Sequence, residues 1–340
     1  MNSRLVTIFG GSGFVGRYIV RRLTAAGLRV RVAVRDTEKA YFLKTCGELG
    51  QVSLMPTSIS SDAEVARSIE GAHWVINTVG ILEERGDRTF SNVHIDGAER
   101  IAQAASKANV DRLVHISALG ADQASKSSYA RSKAAGEKAV LRAFPDATII
   151  RPSVIFGPED GFFNLFAAMG RNFSVLPYFT YVVPHAEGGG GTKFQPVYVG
   201  DVAQTVSTVL NKSMHCGKIY EVGGPEVLDM RSVLETVNRY TDRKAWIVGM
   251  PFWLGRIVAR FSYLWRKFAY IFATLRTYLP SPLITPDQIK LLEKDNVVEG
   301  ELPGLLELDI KGTTIASILP TYLRRFRPYQ QKKRLRLKER

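Results

Sequence analysis

Cysteine and histidine are scarce in this chain, with two and five copies among 340 residues. With only Cys46 and Cys216, the chain has no basis for a disulfide framework, and this scarcity favours a reducing compartment. The two cysteines also lack metal-ligand spacing. The histidines form no recognisable ligand pattern. We therefore expect no metal site and assign no histidine to catalysis.

Long apolar runs are also missing. No stretch reaches the roughly 18–20 apolar residues that a bilayer-spanning helix requires. The first apolar run begins close to Met1, which leaves no room for a targeting segment. These absences predict a soluble or peripheral protein.

Acidic residues are absent from 243–286, where a helix over 252–276 would have a basic side and an aromatic side. The basic side holds Arg256, Arg260 and Lys267, and the aromatic side holds Leu254, Phe261, Trp265, Phe268 and Phe272. This pattern is typical of helices that lie on a membrane surface. A helix that packs its aromatic residues into a core is the alternative.

The net charge of +14 is concentrated at the end of the chain. The tail 324–340 holds nine Lys or Arg residues and one acid, Glu339. Such a tail is predicted to be flexible, and it suits an anionic membrane surface or an acidic partner protein. Specific nucleic-acid binding ranks last because no motif that reads bases accompanies the charge.

The most informative feature that is present is a glycine-rich turn near the start. The run Gly10-Gly11-Ser12-Gly13-Phe14-Val15-Gly16 follows the apolar strand Leu5–Phe9 and precedes a helical pattern. Glycine lets the backbone turn sharply and approach a pyrophosphate, and the helix start offers free N–H groups. The turn therefore predicts a dinucleotide site, with a simple glycine turn as the alternative.

Strands and helices alternate through the first half of the chain. The further predicted strands are Leu28–Val34, Val52–Met55, Trp74–Val79, Arg112–Ser117 and Ala147–Ile150. This alternation predicts an α/β fold with a Rossmann-type doubly wound parallel sheet, whose ligand lies beyond the carboxyl ends of the strands. We therefore expect Val79 and Gly80 at the end of the fourth strand, and Pro152 and Val154 after the sixth, to contact a cofactor.

The residues at the end of the second strand indicate whether the cofactor is NAD or NADP. An acid at this place accepts a hydrogen bond from the ribose of NAD, whereas an arginine meets the 2′-phosphate of NADP. Arg35 comes before Asp36 here, and Arg17 at the helix start is placed to join it. The sequence favours NADP(H), with NAD(H) as the alternative.

A second constellation consists of Ser117, Tyr129 and Lys133. Tyr129 and Lys133 are four residues apart, so they share one face of a helix. A neighbouring ammonium lowers the pKa of a tyrosine and makes it a better acid–base group at neutral pH. Ser117 ends the fifth strand, where its hydroxyl can hold a substrate oxygen. These three residues are the candidate catalytic set.

The predicted boundaries separate two lobes and a tail. The NADP(H)-binding domain spans 1–157 and is completed by about 195–222. A smaller lobe for substrate or partner takes 158–194 and 223–323, and it contains the loop His185–Thr192 as either a lid or a plain connection. The basic tail follows from 324.

Together with the glycine turn and the Ser-Tyr-Lys set, two later motifs resemble the extended short-chain dehydrogenase/reductase superfamily. They are Arg151–Pro158 and Gln195–Val202. More narrowly, Phe194–Tyr198, Tyr220–Pro225 and Leu302–Leu305 resemble the atypical branch that contains the nucleotide-binding accessory subunit of respiratory complex I (NADH:ubiquinone oxidoreductase). The likeness extends over most of the chain.

Three functional hypotheses follow, and the resemblance implies the first two of them. In the superfamily, residues matching Ser117, Tyr129 and Lys133 catalyse hydride transfer to or from NAD(P). The complex I branch holds NADPH without demonstrated turnover, near the region that admits quinone. A structural or assembly role at the membrane face is therefore the first hypothesis. An active NADP-dependent oxidoreductase, acting on a carbonyl or hydroxyl of an apolar substrate, is the second, and a redox-sensing regulator the third.

The resemblance also implies where the protein acts. Complex I subunits are the implied partners. The expected location is cytoplasmic, peripheral to the inner face of a bacterial plasma membrane. For a mature eukaryotic form it would be the matrix side of the inner mitochondrial membrane.

Overall fold

The structure is a computed structural model that describes residues 4–181, 190–269 and 284–328, without the side chains of 262–269. Its strands are β1 (Leu5–Phe9), β2 (Arg29–Val34), β3 (Val52–Pro56), β4 (Trp74–Asn77), β5 (Arg112–Ile116), β6 (Thr148–Pro152), β7 (Ile155–Phe156), β8 (Val175–Thr180), β9 (Lys193–Phe194), β10 (Val197–Tyr198), β11 (Ile219–Val222), β12 (Leu228–Asp229) and β13 (Trp246–Pro251). Its α-helices are α1 (Phe14–Ala25), α2 (Asp62–Ile69), α3 (Gly97–Lys107), α4 (Ser128–Ala143), α5 (Phe163–Asn172), α6 (Val199–Asn211), α7 (Met230–Thr241), α8 (Phe252–Ala269), α9 (Pro286–Leu292) and α10 (Ile315–Leu323). Across these ranges, no helix combines the length and apolar character that crossing a membrane would need.

Seven parallel strands form the main sheet, in the order β11-β6-β5-β4-β1-β2-β3. This order confirms the predicted Rossmann-type α/β fold. Because the chain moves outward from β1 to β3 and then returns to place β4 on the other side of β1, the connections diverge at the carboxyl ends of these two strands. That divergence creates the crevice in which doubly wound sheets bind their ligands.

Both faces of the sheet are covered by apolar packing. One cluster packs strand residues such as Val6 and Ile8 against α1 and α6. The other packs Phe9 and Val75 against α2, α3 and α4. Adjacent residues of β1 thus enter opposite cores, because side chains alternate across a strand. Because the strands are buried on both faces, their sequences are apolar along nearly their whole length.

The described residues fall into two compact units. The first lies within Met1–Ile155, Val197–Gly224 and Val298–Thr313. The last of these segments had been predicted to belong to the smaller lobe. It joins the first unit because Leu305 and Leu308 enter the sheet's core cluster, and because the Glu221 N–H donates to the Pro303 carbonyl at 3.0 Å.

The second unit lies within Phe156–Pro196, Pro225–Val297 and Thr314–Arg340. The buried Asp160 carboxylate accepts bonds from the N–H groups of Phe162 and Asn164 at the start of α5, and from the hydroxyl of Tyr322 on α10. Helix α9 begins with a capping box, in which the Thr285 hydroxyl accepts from the Gln288 N–H and the Gln288 side chain accepts from the Thr285 N–H.

The predicted tail begins inside folded structure. Arg324–Phe326 forms a 3₁₀ turn, Phe326 is buried, and Arg325 donates to Asn164. Folded structure therefore extends past residue 324, because the buried side chain of Phe326 interrupts the basic run. The remainder of the tail from 329, and most of the loop His185–Thr192, lie outside the described residues.

Candidate functional site

The glycine turn between β1 and α1 depends on close backbone contact. A Cβ on Gly16 would lie 2.4 Å from the Gly10 carbonyl oxygen, and a Cβ on Gly10 would lie 2.8 Å from Thr78 Oγ1. Gly10 also has a φ of +78°, which L side chains rarely adopt. No side chain caps α1 in the described part of the chain. The first turn of the helix therefore faces the crevice with its N–H groups available for an anion.

Arg17 braces this turn. Its guanidinium donates to the carbonyls of Gly13 and Ser12, each at 3.2 Å, and lies over the ring of Phe42. The remaining predicted residues of the turn, Phe14 and Val15, begin α1. Arg17 thus helps to hold the loop, and its predicted role beside Arg35 stays a prediction.

Arg35 follows β2 directly and is exposed. The neighbouring Asp36 carboxylate pairs with Lys39 at 2.8 Å and also accepts from the Lys39 N–H, and these bonds lower its pKa. The Asp36 carboxylate is therefore already bonded to Lys39, a residue of the same loop. The arginine is the more available of the two side chains.

Ser117 lies just beyond β5, where its N–H donates to the Ile150 carbonyl at 2.7 Å. Its hydroxyl is buried and has no hydrogen-bond partner among the residues that the structure describes. A buried hydroxyl without a partner costs free energy, of order 1–3 kcal/mol. The Ser117 hydroxyl therefore has hydrogen-bonding capacity left for a ligand.

Tyr129 and Lys133 lie on α4, as their spacing predicts. Lys133 Nζ donates to the Ile116 carbonyl, immediately before Ser117, at 2.9 Å. Burial lowers the pKa of Lys133 to about 8, against the opposing effect of Glu137. Burial raises the pKa of Tyr129 to about 12. The sequence-based expectation that Lys133 lowers this pKa is not met, because desolvation of the phenol dominates.

His94 belongs to the site although sequence reasoning assigned it no role. Its Nε2 accepts from the Ile81 N–H at 3.0 Å, so the neutral ring carries its proton on Nδ1 and donates to Ser132 Oγ at 2.8 Å. Ser132 in turn donates to the Tyr129 carbonyl. Burial, with a smaller contribution from Lys133, lowers the pKa of His94 to about 3. A neutral imidazole thereby ties the segment after β4 to the helix that carries Tyr129.

Two further polar residues shape the end of β4. The Asn77 side chain donates to His115 Nδ1 at 3.1 Å and accepts from the Val79 N–H at 3.0 Å. Gly80 follows, and a Cβ there would lie 3.7 Å from His94 Nε2. Nothing in the spacing of these residues marks them in the sequence, because Asn77 and His115 are 38 residues apart and His94 contacts residues 13 and 38 positions away.

The end of β6 completes this edge of the sheet. The Pro152 carbonyl accepts from the Leu119 N–H at 2.8 Å, and the Val154 carbonyl accepts from the Val197 N–H at 2.9 Å. The carboxyl ends of β1, β4, β5 and β6 therefore bring together the glycine turn, Gly80, Ser117 and Pro152. Among the described residues, no three His, Cys, Asp or Glu side chains form a group that could hold a metal.

Comparisons with known proteins fit this geometry. A profile of the NAD dependent epimerase/dehydratase family matches residues 6–223. The mitochondrial NADH dehydrogenase (ubiquinone) 1 alpha subcomplex subunit 9 of Arabidopsis thaliana is 34% identical over 313 residues, which cover 90% of this chain and 74% of that relative. A ceramide reductase of Caulobacter vibrioides is 37% identical over 167 residues, which cover 48% of this chain and 51% of that enzyme.

A solved structure shows the likeness of fold. The dTDP-glucose 4,6-dehydratase of Streptomyces venezuelae, crystallised with NAD, has a TM-score of 0.66 at 18% identity, over 94% of this chain and 96% of that one. At this identity the comparison speaks for the fold alone.

The buried ammonium of Lys133 predicts a pH-dependent stability. Between about pH 8 and its ordinary pKa near 10.5, the unfolded chain keeps this proton and the folded chain releases it, so stability rises with pH. Lys133→Met removes the group. We expect the free energy of unfolding of this variant, relative to wild type, to fall by about 2 kcal/mol between pH 7.5 and 9.5.

Urea unfolding at these pH values measures the effect. Lys138→Met, on the exposed face of the same helix, is the control and should keep a constant difference from wild type. Parallel pH profiles for wild type and Lys133→Met would contradict the burial of the ammonium.

Proposed function

Because the chain belongs to the NAD dependent epimerase/dehydratase family, and within it to the family of the subunit 9 relatives, we propose that it is an NADP(H)-binding accessory subunit of respiratory complex I. Its role would be structural or in assembly, at the membrane face near quinone chemistry. The observation that carries nucleotide binding is the buried hydroxyl of Ser117, which has no hydrogen-bond partner in the described part of the chain and lies at the same sheet edge as the glycine turn.

The residues at this edge fit a dinucleotide. The backbone from Gly10 to Gly16 would hold the pyrophosphate, since only glycine leaves room there for close approach. Val79, Gly80, Pro152 and Val154 would flank the bound molecule. Ser117, Tyr129 and Lys133 would lie at its nicotinamide end, where the cofactor supplies or accepts a hydride.

The preference for NADP(H) over NAD(H) rests on the end of β2. Arg35 is exposed there without an acidic partner in the described ranges, while the Asp36 carboxylate is held by Lys39. A guanidinium offers several donors to a phosphate. NADPH is therefore the better match.

Arg35→Ala tests this preference. Because a hydrogen bond between charged groups contributes about 1.5–3 kcal/mol, we expect NADPH binding to weaken about tenfold or more and NADH binding to change little. Fluorescence titration measures both affinities. Arg29→Ala, at the opposite end of β2, is the control. An equal loss for both cofactors would remove Arg35 from the 2′-phosphate.

An NADP-dependent reductase is the second candidate function, favoured by the presence of all three catalytic residue types and by the ceramide reductase relative. In this function the Tyr129 hydroxyl, protonated at neutral pH because of its raised pKa, gives its proton to the carbonyl oxygen of a substrate. Ser117 orients that oxygen, and Lys133 holds the tyrosine helix against the end of β5. A sensor of the cofactor's redox state is the weaker third alternative.

Cofactor retention separates these functions. We expect the purified protein to keep NADPH through gel filtration and to show no turnover with apolar ketones, because a structural subunit has no need to release its nucleotide. Absorbance and mass spectrometry of the eluted nucleotide measure retention, and Tyr129→Phe should retain as much as wild type. Rapid release of NADP⁺, with carbonyl reduction that Tyr129→Phe abolishes, would favour the reductase. Unequal affinities for the oxidised and reduced forms, without turnover, would favour the sensor.

The proposed contact with a membrane surface rests on the exposed residues of α8. Trp253, Ile257 and Phe261 are exposed at intervals of four residues and so form one stripe, while Phe252 and Ala259 are buried with Ile289 of α9. The stripe suits insertion into a membrane surface.

The side of α8 that was predicted to be basic carries less net positive charge than expected. Arg256 pairs with Glu293, which largely neutralises it, and Leu254 is half-buried, whereas Arg260 is exposed. The other predicted side chains, Trp265, Lys267, Phe268 and Phe272, lie outside the described side chains. Apolar insertion, more than charge, therefore supports the contact. The proposed place of action is the inner face of a bacterial plasma membrane or the matrix side of the mitochondrial inner membrane.

Sedimentation with anionic vesicles tests this contact. We expect the full chain to bind, with a part that resists high salt because apolar insertion is not screened. The double variant Ile257→Ser/Phe261→Ser should lose the salt-resistant part. Leu306→Ser, an equally exposed apolar residue in the first unit, should not. No binding at low salt would leave a protein partner as the occupant of this stripe.

A further inference from the structure

A π-helical turn leads into α3. It covers Ser91–Asp96, and the Gly97 N–H donates to the carbonyl of Asn92, five residues earlier, where an α-helix would use the carbonyl four residues earlier. Turns of this kind are rare and are frequent at functional sites. His94, within the turn, is buried with 2% of its surface exposed. The irregular turn thus places an imidazole inside the protein, between the loop after β4 and helix α4.

Both ring nitrogens of His94 are engaged. Nε2 accepts from the Ile81 N–H at 3.0 Å, and Nδ1 donates to Ser132 Oγ at 2.8 Å. The Ser132 hydroxyl donates in turn to the Tyr129 carbonyl at 2.7 Å. Because burial lowers the pKa of His94 to about 3, the ring is neutral at neutral pH and keeps one donor and one acceptor. Since neither nitrogen is left for a substrate, a role of His94 has to act through its neighbours.

The ring of His94 also forms part of the wall around Tyr129. It meets the phenol ring edge to face, with the centroids 5.5 Å apart and the planes at 85°. Phe90 stacks on His94 at 5.4 Å and meets Tyr129 edge to face at 5.9 Å. The three rings therefore contact one another in pairs, in arrangements that aromatic side chains prefer. Packing on this side restricts where the phenol can point.

His94 lies equally close to the loop after β4. A Cβ on Gly80 would lie 3.7 Å from His94 Nε2. Val79 and Ile81 pack in one apolar cluster with Phe90 and Tyr129. Through a single ring, His94 thus contacts both the loop that is expected to flank a nucleotide and the helix that carries Tyr129.

These contacts meet at the edge where a doubly wound sheet binds its ligand. We propose that His94 is a positioning residue, which fixes the loop 79–81 and the Tyr129 phenol relative to each other so that they hold the nicotinamide half of a bound dinucleotide. This inference rests on the proposed nucleotide binding. The glycine turn and the end of β2 belong to other strands, so binding of the adenosine half should not depend on His94.

Whole and half nucleotides test the proposal. His94→Leu removes both hydrogen bonds and leaves an apolar side chain. We expect its Kd for NADPH to rise about tenfold, because the bonds that orient this end of the site are lost. Its Kd for 2′,5′-ADP, which lacks the nicotinamide half, should change less than about twofold. Isothermal titration measures both, and NADH with 5′-AMP gives a second pair of whole and half nucleotides.

Two conservative variants separate the two hydrogen bonds. The amide oxygen of glutamine can take the place of Nε2, so His94→Gln keeps an acceptor for the Ile81 N–H. The amide nitrogen of asparagine can take the place of Nδ1, so His94→Asn keeps a donor to Ser132. Each should recover part of the NADPH affinity that His94→Leu loses. If His94→Leu does not fold, these two variants should each weaken NADPH and leave 2′,5′-ADP unchanged.

His215→Leu is the matched control. His215 is also buried, and its Nδ1 lies 2.6 Å from the Tyr220 hydroxyl. Its carbonyl accepts from the hydroxyl of Thr148, the first residue of β6, at 2.8 Å. This is the opposite end of the strand from the proposed nucleotide site. We expect His215→Leu to lower the midpoint of thermal unfolding and to bind NADPH as wild type does.

The outcomes distinguish this inference from the function on which it rests. An unchanged NADPH affinity in His94→Leu, or an equal loss for NADPH and 2′,5′-ADP, overturns the positioning role while wild-type binding still supports the proposed function. No recovery in either amide variant overturns the role of the two hydrogen bonds. Wild-type protein that binds no dinucleotide overturns the proposed function itself.

Discussion

The close approach of α4 to the sheet is the constraint on which the site depends. Gly136 lets the same helix also pack closely on the helical segment before α3, because a Cβ at this position would lie 2.1 Å from the carbonyl oxygen of His94. One turn earlier, Lys133 donates to the last carbonyl of β5. One residue later, Glu137 receives two bonds from Arg151 on β6, at 2.9 and 2.7 Å. The same helix face carries Tyr129 one turn before Lys133, whose ammonium reaches the end of β5.

This approach also sets the electrostatics of the site. It buries an ammonium and two imidazoles and half-buries a phenol, and desolvation shifts the pKa of each group toward its neutral form. Glu137 is the nearest compensating charge for Lys133, but Arg151 already neutralises it. Arg151 also reaches Glu221 at 3.4 Å, so the ion pairs tie α4 to both β6 and β11. The contacts that hold the helix and the shifted protonation of its side chains thus have one origin.

Local sequence patterns predicted most of the fold and the outline of the site. Alternating apolar strands and helices give the parallel sheet, and the sheet fixes which strand ends meet, so the glycine turn, Ser117 and the Tyr129/Lys133 pair could be placed together. Residues whose role depends on distant partners could not be placed. His94 contacts Ser132 across 38 residues, and Arg256 finds Glu293 across 37. Spacing along a helix says nothing about such pairs.

The protonation state of Tyr129 bears on the direction of any chemistry at this site. With its pKa raised to about 12, the phenol holds its proton at neutral pH and is a donor of that proton. Reduction of a carbonyl consumes a proton, whereas oxidation of an alcohol requires a base to remove one. A protonated tyrosine at this site, together with the Ser117 hydroxyl that has no partner among the described residues, therefore suits reduction better than oxidation. The same two hydroxyls can instead donate hydrogen bonds to a permanently held nucleotide. Catalysis and cofactor retention thus call for the same protonated state, and the rate at which the nucleotide leaves, rather than the identity of the residues, decides between them.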